Sequence, residues 1–411
     1  MNFPRLHPRL PLHISIADLV FCLFSFFYKP QQALPTILKD FAKNERQVLV
    51  TLSVRTAFDL LLQSLNLPSG SEVLMTAVNI GDMVEIIKRH NLVPIPIDIS
   101  LDTLAPDIQV IENLISSRTR IILVAHLFGS VINLTEITKL CQKYQLILVE
   151  DCAQAFCGDK YCGNPEANVS LFSFGPIKSC TALGGAIACI RDKKLAEKMS
   201  AIAEKYPQRS EWWFCQRVLK YFVLKLLSLP WIYYYLIRLI KLLGWNIDST
   251  INSLTRGFYK GDILSKIRYR PPQTMVSLLW RRLNNFDNGY FERRESKARF
   301  FISLLDPEII CPGSKAIFHS FWVLPILTDC PENLIENLRN KGFDSTRGNT
   351  SIIHLNDGYY GEKNCTVNAL MPKQVNEQFL YLPISKNLAE KELVYLANLL
   401  NQANSKSFKK V

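Results

Sequence analysis

Short apolar runs recur between residues 48 and 190, at 48–52, 72–75, 93–99, 120–127, 146–151, 169–174 and 185–190. Each is rich in Val, Ile and Leu, so each reads as a strand. The segments 56–65 and 134–144 lie between them and carry apolar residues on one helical face. Strands alternating with helices predict a mostly parallel sheet with crossover helices, an α/β architecture. The pattern changes at 212–245, WWFCQRVLKYFVLKLLSLPWIYYYLIRLIKLLGW, which is apolar, aromatic and basic, with no acidic residue. Beyond it a helix is predicted over 272–305, a strand over 321–327 and a helix over 331–341, a smaller C-terminal α/β domain. The predicted organisation is an N-terminal arm with an apolar helix (1–45), a large domain (46–200), a basic apolar helical insert (201–261) and a small C-terminal domain (262–411).

With 411 residues the chain exceeds what one hydrophobic core serves. Its net charge of +12 favours anionic surfaces, but no zinc-finger or RNP pattern accompanies it, so nucleic acid is not an expected partner. The cysteines number eleven, and Cys22, Cys141, Cys189 and Cys215 sit in apolar runs as small hydrophobes. Cys152, Cys157 and Cys162 form no CxxC pair and have no His at metal-site spacing, so no metal is expected. Free thiols point to a reducing, cytoplasmic compartment. Residues 19–27 follow Arg5 and Arg9 as a secretion leader would, but Asp18 interrupts the apolar region. Tyr28, Lys29 and Pro30 stand where small residues would permit cleavage, so an anchoring helix is expected instead.

Open α/β sheets place ligands at the C-terminal ends of their strands. Asp151 ends the run LILVED, and Lys178, the only lysine between 161 and 190, follows LFSF. A carboxylate that keeps a pyridine nitrogen protonated and an amine that forms a Schiff base are the two groups a pyridoxal cofactor needs. Taken singly, an Asp at a strand end also reads as a helix cap, and a Lys after Pro176 as a solvated turn residue.

The stretches VEDCAQAFCG and SLFSFGPIKSCTALGGA resemble the DegT/DnrJ/EryC1/StrS family of pyridoxal-phosphate sugar aminotransferases. The likeness extends back through VAHLFGSVINLTEI and PIPIDISLDTLAPD to SVRTAFDLLLQSL. It implies the fold type I aminotransferase architecture, with pyridoxal 5'-phosphate as cofactor. By position it makes Lys178 the Schiff-base lysine, Asp151 the partner of the ring nitrogen, Gln154 a contact on the ring hydroxyl side and Ser173 a phosphate ligand. The turn at Ser53, Val54, Arg55 and Thr56 becomes the phosphate cradle, where a helix N-terminus favours an anion and Arg55 adds charge. His126 falls in a structural H-L-x-G element. The chain departs from the family pattern at Val54 for the turn glycine, at Ile80 for the aromatic over the ring and at Arg268 for the partner-chain Asn. Its loop 179–183 is also short.

The resemblance implies transfer of an amino group from glutamate or glutamine to a nucleotide-linked keto-sugar by a homodimer. The rival expectation is a non-catalytic, membrane-associated scaffold on the same fold. Only twelve residues separate Lys225 from Arg238, with Pro230 among them. A spanning helix needs about 20 apolar residues, so 212–245 is expected to lie on a membrane face or pack on protein.

Overall fold

The computed structural model describes residues 5–9, 12–28, 30–255, 262–287, 289–347, 352–354, 378–384 and 388–407. In chain order it begins with helices α1 (Ile16–Phe24) and α2 (Ala33–Phe41), then strand β1 (Gln47–Thr51) and α3 (Val54–Leu65). There follow β2 (Glu72–Thr76), β3 (Val78–Ile80), α4 (Gly81–Arg89), β4 (Val93–Ile97), α5 (Ile108–Leu114), β5 (Thr119–Ala125), β6 (Ser130–Val131) and α6 (Thr135–Lys143). Next come β7 (Ile147–Asp151), β8 (Val169–Ser173), β9 (Ala186–Ile190) and α7 (Lys193–Glu204). The seven strands of the main sheet run in the order β1-β9-β8-β7-β5-β2-β4. Pairings from β4 across to β8 are parallel, and only β9 runs against its neighbours. This is the expected α/β sheet.

Alternating side chains build a core on each face. Ile121, Leu123, Val149, Val169, Leu171, Ala186 and Ala188 pack with α3, α4 and α7. Ile122, Val124 and Leu148 turn the other way, towards α5 and α6. Phe172, Ile187 and Cys189 also face that side, where α1 and α2 cover them. The N-terminal arm is thus part of the large domain's core.

The insert contributes α8 (Glu211–Leu227), α9 (Pro230–Leu242) and α10 (Ile247–Thr255), and it is followed by α11 (Ile263–Ile267) and α12 (Gln273–Asn284). Phe214, Val218 and Tyr221 of α8 and Met275, Val276, Leu278 and Leu279 of α12 join the core beneath α1. The single helix expected over 272–305 is instead two, α12 and α13 (Gly289–Ser303). Asn285 and Asp287 stand between them, side chains of types that compete with the helix for backbone hydrogen bonds. Two short strands, β10 (Phe318–His319) and β11 (Leu324–Leu327), precede α14 (Pro331–Asn340). The described chain ends with β12 (Ile352–His354), β13 (Phe379–Leu382) and α15 (Glu390–Ser407). Residues of α13, α14, β11, β13 and α15 share a separate core, the smaller C-terminal unit.

Buried charges tie the pieces together. Asp18 of α1 accepts from Arg281 at 2.9 Å and from Arg282 at 2.7 Å, both on α12. Asp344, fully buried, accepts from Arg9 at 2.8 and 3.0 Å, from Arg339 at 3.0 Å and from Tyr233 of α9 at 2.5 Å. Arg9 also pairs with Asp248 of α10. One carboxylate therefore joins the arm, the insert and the C-terminal unit.

Burial raises the Asp344 pKa, but the charges of Arg9 and Arg339 and the hydrogen bonds of Arg9 and Tyr233 together outweigh it and hold the carboxyl below its ordinary 3.8. A depressed folded pKa adds stability above pH 3.8 that is lost as pH falls through the folded value. Asp344→Ala takes the buried carboxylate from Arg9 and Arg339, leaving them only Asp248 among the described residues, and is expected to cost about 3–5 kcal/mol. Urea melts measure that loss, and limited proteolysis should then cut near α9 and α10, where the parent protein resists.

Candidate active site

Register brings the expected residues to one edge. Ala125 pairs with Asp151, and Asp151 pairs with Leu171, so β5, β7 and β8 end together. Thr51 and Ser173 both pair with Ala186, which sets the end of β1 at the same edge. Directly after β1 the chain turns into α3, whose N-cap Ser53 accepts from the Thr56 amide at 3.2 Å. The N-terminus of a twelve-residue helix is thereby aimed at the edge where Asp151 and Ser173 stand, with its first amides available to an anion.

Asp151 is buried. Its Oδ1 accepts from the Ala153 amide at 2.9 Å, and among the described residues no other hydrogen-bond donor reaches the carboxylate. Burial pushes its pKa up, against the opposing charges of Lys178, His126 and Arg55. Lys178 lies in the turn after β8, its amide bonded to the Gly175 carbonyl at 3.0 Å. Its amine sits 4.2 Å from the centre of the Trp322 ring. Burial, aided by Arg55 and opposed by Asp151, lowers the amine to about 8.

The other expected residues divide. Ser173 is half-buried at the end of β8, with its Oγ 3.5 Å from the Gly175 amide. Gln154 accepts from the Phe128 amide at 2.7 Å, which fixes it beside the β5 end. Arg55 reaches across to Asp82 at the start of α4 at 2.5 Å, yet its charge still acts on Lys178 and Asp151. Thr56 is buried, and its hydroxyl donates to the Ile267 carbonyl at 2.8 Å, a bond that docks α11 on α3. Arg268 forms a bidentate pair with the buried Asp59 at 3.0 and 3.0 Å. His90 at 2.8 Å and Tyr206 at 2.9 Å complete that cluster. Thr56 and Arg268 thus have partners within the fold.

His126 is buried between Glu150 at 2.7 Å and the Ile132 amide at 3.1 Å. With Cys152 it forms a trio of potential metal donors within 4.8 Å of one another. Glu150, however, also accepts from Tyr161, from Ser170 at 2.6 Å and from the Asn164 amide at 2.9 Å. The trio is part of a satisfied hydrogen-bond network under the sheet. Every described cysteine is free. Trp322 and Arg294, which hold the Lys178 loop, were not foreseen. Nothing local in FHSFWVLPI marks Trp322 and nothing in FERRESKA marks Arg294, because they meet the loop only through the tertiary fold.

The residues present fit a pyridoxal cofactor. A buried carboxylate short of donors suits a cationic ring nitrogen, and a lysine amine lowered to about 8 suits a carbonyl carbon. A helix N-terminus beside Ser173 suits a phosphate. The fold is that of the pyridoxal-phosphate aminotransferases, α/β with a mostly parallel sheet. It matches an aminotransferase, TlmJ, from Streptoalloteichus hindustanus at a TM-score of 0.72 and 18% identity, over 98% of this chain and 99% of that one. A Streptococcus pneumoniae protein, Spr1654, solved in a form named for PLP, matches at a TM-score of 0.67 and 16% identity, over 98% and 99%. Residues 25–213 match the model of the DegT/DnrJ/EryC1/StrS aminotransferase family. A UDP-4-amino-4-deoxy-L-arabinose–oxoglutarate aminotransferase of Shewanella sediminis is 33% identical over 156 residues, 37% of this chain and 40% of that one. The chain thus spans about two fifths of that relative's length.

Because the Asp151 pKa is raised, the folded state holds its proton above pH 3.8 while the unfolded chain releases it. Stability therefore falls as pH rises through and above that value. Without cofactor, Asp151→Asn is expected to melt higher than the parent at pH 7 and level with it near pH 3. Differential scanning calorimetry at both pH values checks this; a lower melt at pH 7 contradicts it.

Proposed function

We propose that the protein is a pyridoxal-phosphate-dependent aminotransferase that carries an amino group from glutamate or glutamine to a nucleotide-linked keto-sugar. The observation that carries this reading is the Lys178 amine in the field of the buried Asp151, at the edge where β1, β7 and β8 end together. When bound, the cofactor supplies an electron sink for negative charge on the substrate carbon. Asp151 keeps the ring nitrogen protonated. Lys178 would hold the cofactor through its amine, and that amine, lowered to about 8, would move the proton at the substrate carbon. Ser173 and the first amides of α3 hold the phosphate, with Arg55 adding positive charge. Gln154, anchored on Phe128, borders the ring. Thr56 and Arg268 act through packing. The sugar acceptor is supported by relatives named for sugar amination, and the homodimer by the family resemblance.

The test is spectroscopic. Pyridoxal phosphate added to the purified protein should give an imine absorbance that borohydride bleaches, with the reduced adduct mapping to Lys178. Lys178→Ala should show no adduct and lose several orders of magnitude in turnover, each factor of ten being about 1.4 kcal/mol. A parent protein without the band would favour the scaffold alternative instead.

We also infer that the insert rests on the face of an anionic membrane. Among the described residues no single helix is long and apolar enough to cross a bilayer, and α8 and α9 meet at 96°. Their solvent faces are apolar. Leu219, Val223 and Leu226 on α8 and Trp231, Tyr235, Leu239 and Leu242 on α9 recur at helical spacing, and Leu242 is 82% exposed. The neighbouring α1, which packs on α8, turns Ile16, Val20 and Phe24 outward as well. Lys220, Arg238 and Lys241 are exposed in the same segment, which carries no acid from 212 to 245. Apolar side chains beside basic ones suit the headgroup region of anionic lipid. In flotation with phosphatidylserine vesicles at low salt, the parent should rise with the lipid. The double variant Leu239→Glu, Leu242→Glu should bind at least tenfold less; equal binding by both proteins refutes the assignment.

A further inference from the structure

Three consecutive residues of the lysine loop are held from the C-terminal part of the chain. The indole Nε1 of Trp322 donates to the Ile177 carbonyl at 3.0 Å. Its ring face lies 4.2 Å from the Lys178 amine. Arg294 of α13 reaches the Ser179 hydroxyl at 3.5 Å and donates to the Trp322 carbonyl itself. On its other side the Trp322 backbone packs close to Gly129, whose φ is +102° and whose carbonyl accepts from the Ser320 amide at 2.7 Å. A Cβ on Gly129 would come within 2.6 Å of the Trp322 nitrogen and 2.5 Å of the Ser320 hydroxyl, so only glycine fits there.

We propose that Trp322 is the positioning residue of Lys178, its ring face the resting place of the free ammonium and its indole N–H the tie on the loop that carries it. The proposal rests on Lys178 being the reactive amine. A cation over an indole face within about 6 Å is stabilised by the ring quadrupole. The charged groups acting on Lys178 are Asp151, which favours the ammonium, and Arg55, which disfavours it; burial also works against charge. An indole face adds to the charged side without offering a proton acceptor. A carboxylate in its place would hold the proton tightly and raise the amine further. Trp322 therefore parks the amine near Asp151 while leaving it free to give up its proton near neutral pH.

The experiment measures the amine without cofactor. Competitive labelling with acetic anhydride across pH, read by mass spectrometry on the Lys178 peptide, gives its pKa in the parent, Trp322→Met and Trp322→Phe. The Met variant, which fills space without a π face, is expected to lower the pKa by about one unit. The Phe variant keeps a weaker face and should fall only part of the way. An unchanged pKa in Trp322→Met, with a cooperative melt, overturns the proposal, as does a Phe variant shifted as far as Met. Should Trp322→Met fail to melt cooperatively, the Phe variant decides: a partial fall supports the ring contact and no fall refutes it. A second arm adds pyridoxal phosphate to each protein and follows imine formation at Lys178 against pH, where the variants' profiles should shift to lower pH. If the labelling shift appears but no imine forms in the parent, the Trp322–Lys178 pairing stands and the aminotransferase reading falls.

Discussion

A carboxylate at the end of a central strand, out of water and with only one amide on it, is expensive to maintain, and the site is organised around Asp151 for that reason. The sheet on either side must be dry for its burial to persist, which requires α3, α4 and α7 on one face and α1, α2 and α12 on the other. Lys178, Arg55 and His126 lie close enough for their charges to act on it, yet the carboxyl's affinity for a proton remains raised. That residual cost is the demand a cationic ring nitrogen satisfies. The fold holds a destabilised charge where chemistry needs one, a pattern common at functional sites.

The strands, the crossover helices and the placement of Asp151 and Lys178 at neighbouring strand ends were legible because each is a local signal. Short apolar runs mark β5, β7 and β8, and the VEDCAQ and FSFGPIK segments lie at the ends of adjacent strands. What escaped depends on residues far apart in sequence. Arg268 finds Asp59 across 209 positions, and Thr56 finds Ile267 across 211. Neither distance leaves a trace in local composition. The Trp322 contact is of the same kind, a single indole in an apolar run until the fold sets it against the loop at 177–179. The break between α12 and α13 could have been foreseen, since Asn284, Asn285 and Asp287 are poor continuations of a helix, but the apolar spacing on both sides masked it.

Two buried acids decide how the added helices sit. Asp18 binds α1 to α12 through Arg281 and Arg282, and Asp344 binds α9 and α10 through Tyr233, Arg9 and Asp248. Ion pairs taken out of water need good geometry and full hydrogen bonding to break even. Each carboxylate here has several donors, Asp18 from Arg281 and Arg282 and Asp344 from Arg9, Arg339 and Tyr233. Such pairs contribute less to net stability than to uniqueness, because a mispacked helix leaves a guanidinium or carboxylate unpaired in the interior.

This anchoring gives the insert an unusual partition. The inward side of α9 supplies Tyr233 to a charged cluster, whereas its outward side presents Trp231, Tyr235, Leu239 and Leu242. The inward side also buries Ile237 and Ile240 in an apolar core, whereas a surface helix in water ordinarily keeps its outward side polar. Each exposed large apolar side chain forgoes about 1.5–3 kcal/mol that burial would return, and the stripes on α1, α8 and α9 together carry many of them. Charged anchors inside hold the apolar face outward against the tendency of the helices to roll over and bury it. The exposed stripe is set in place by Tyr233 in the Asp344 cluster together with Ile237 and Ile240 in the apolar core beneath α9.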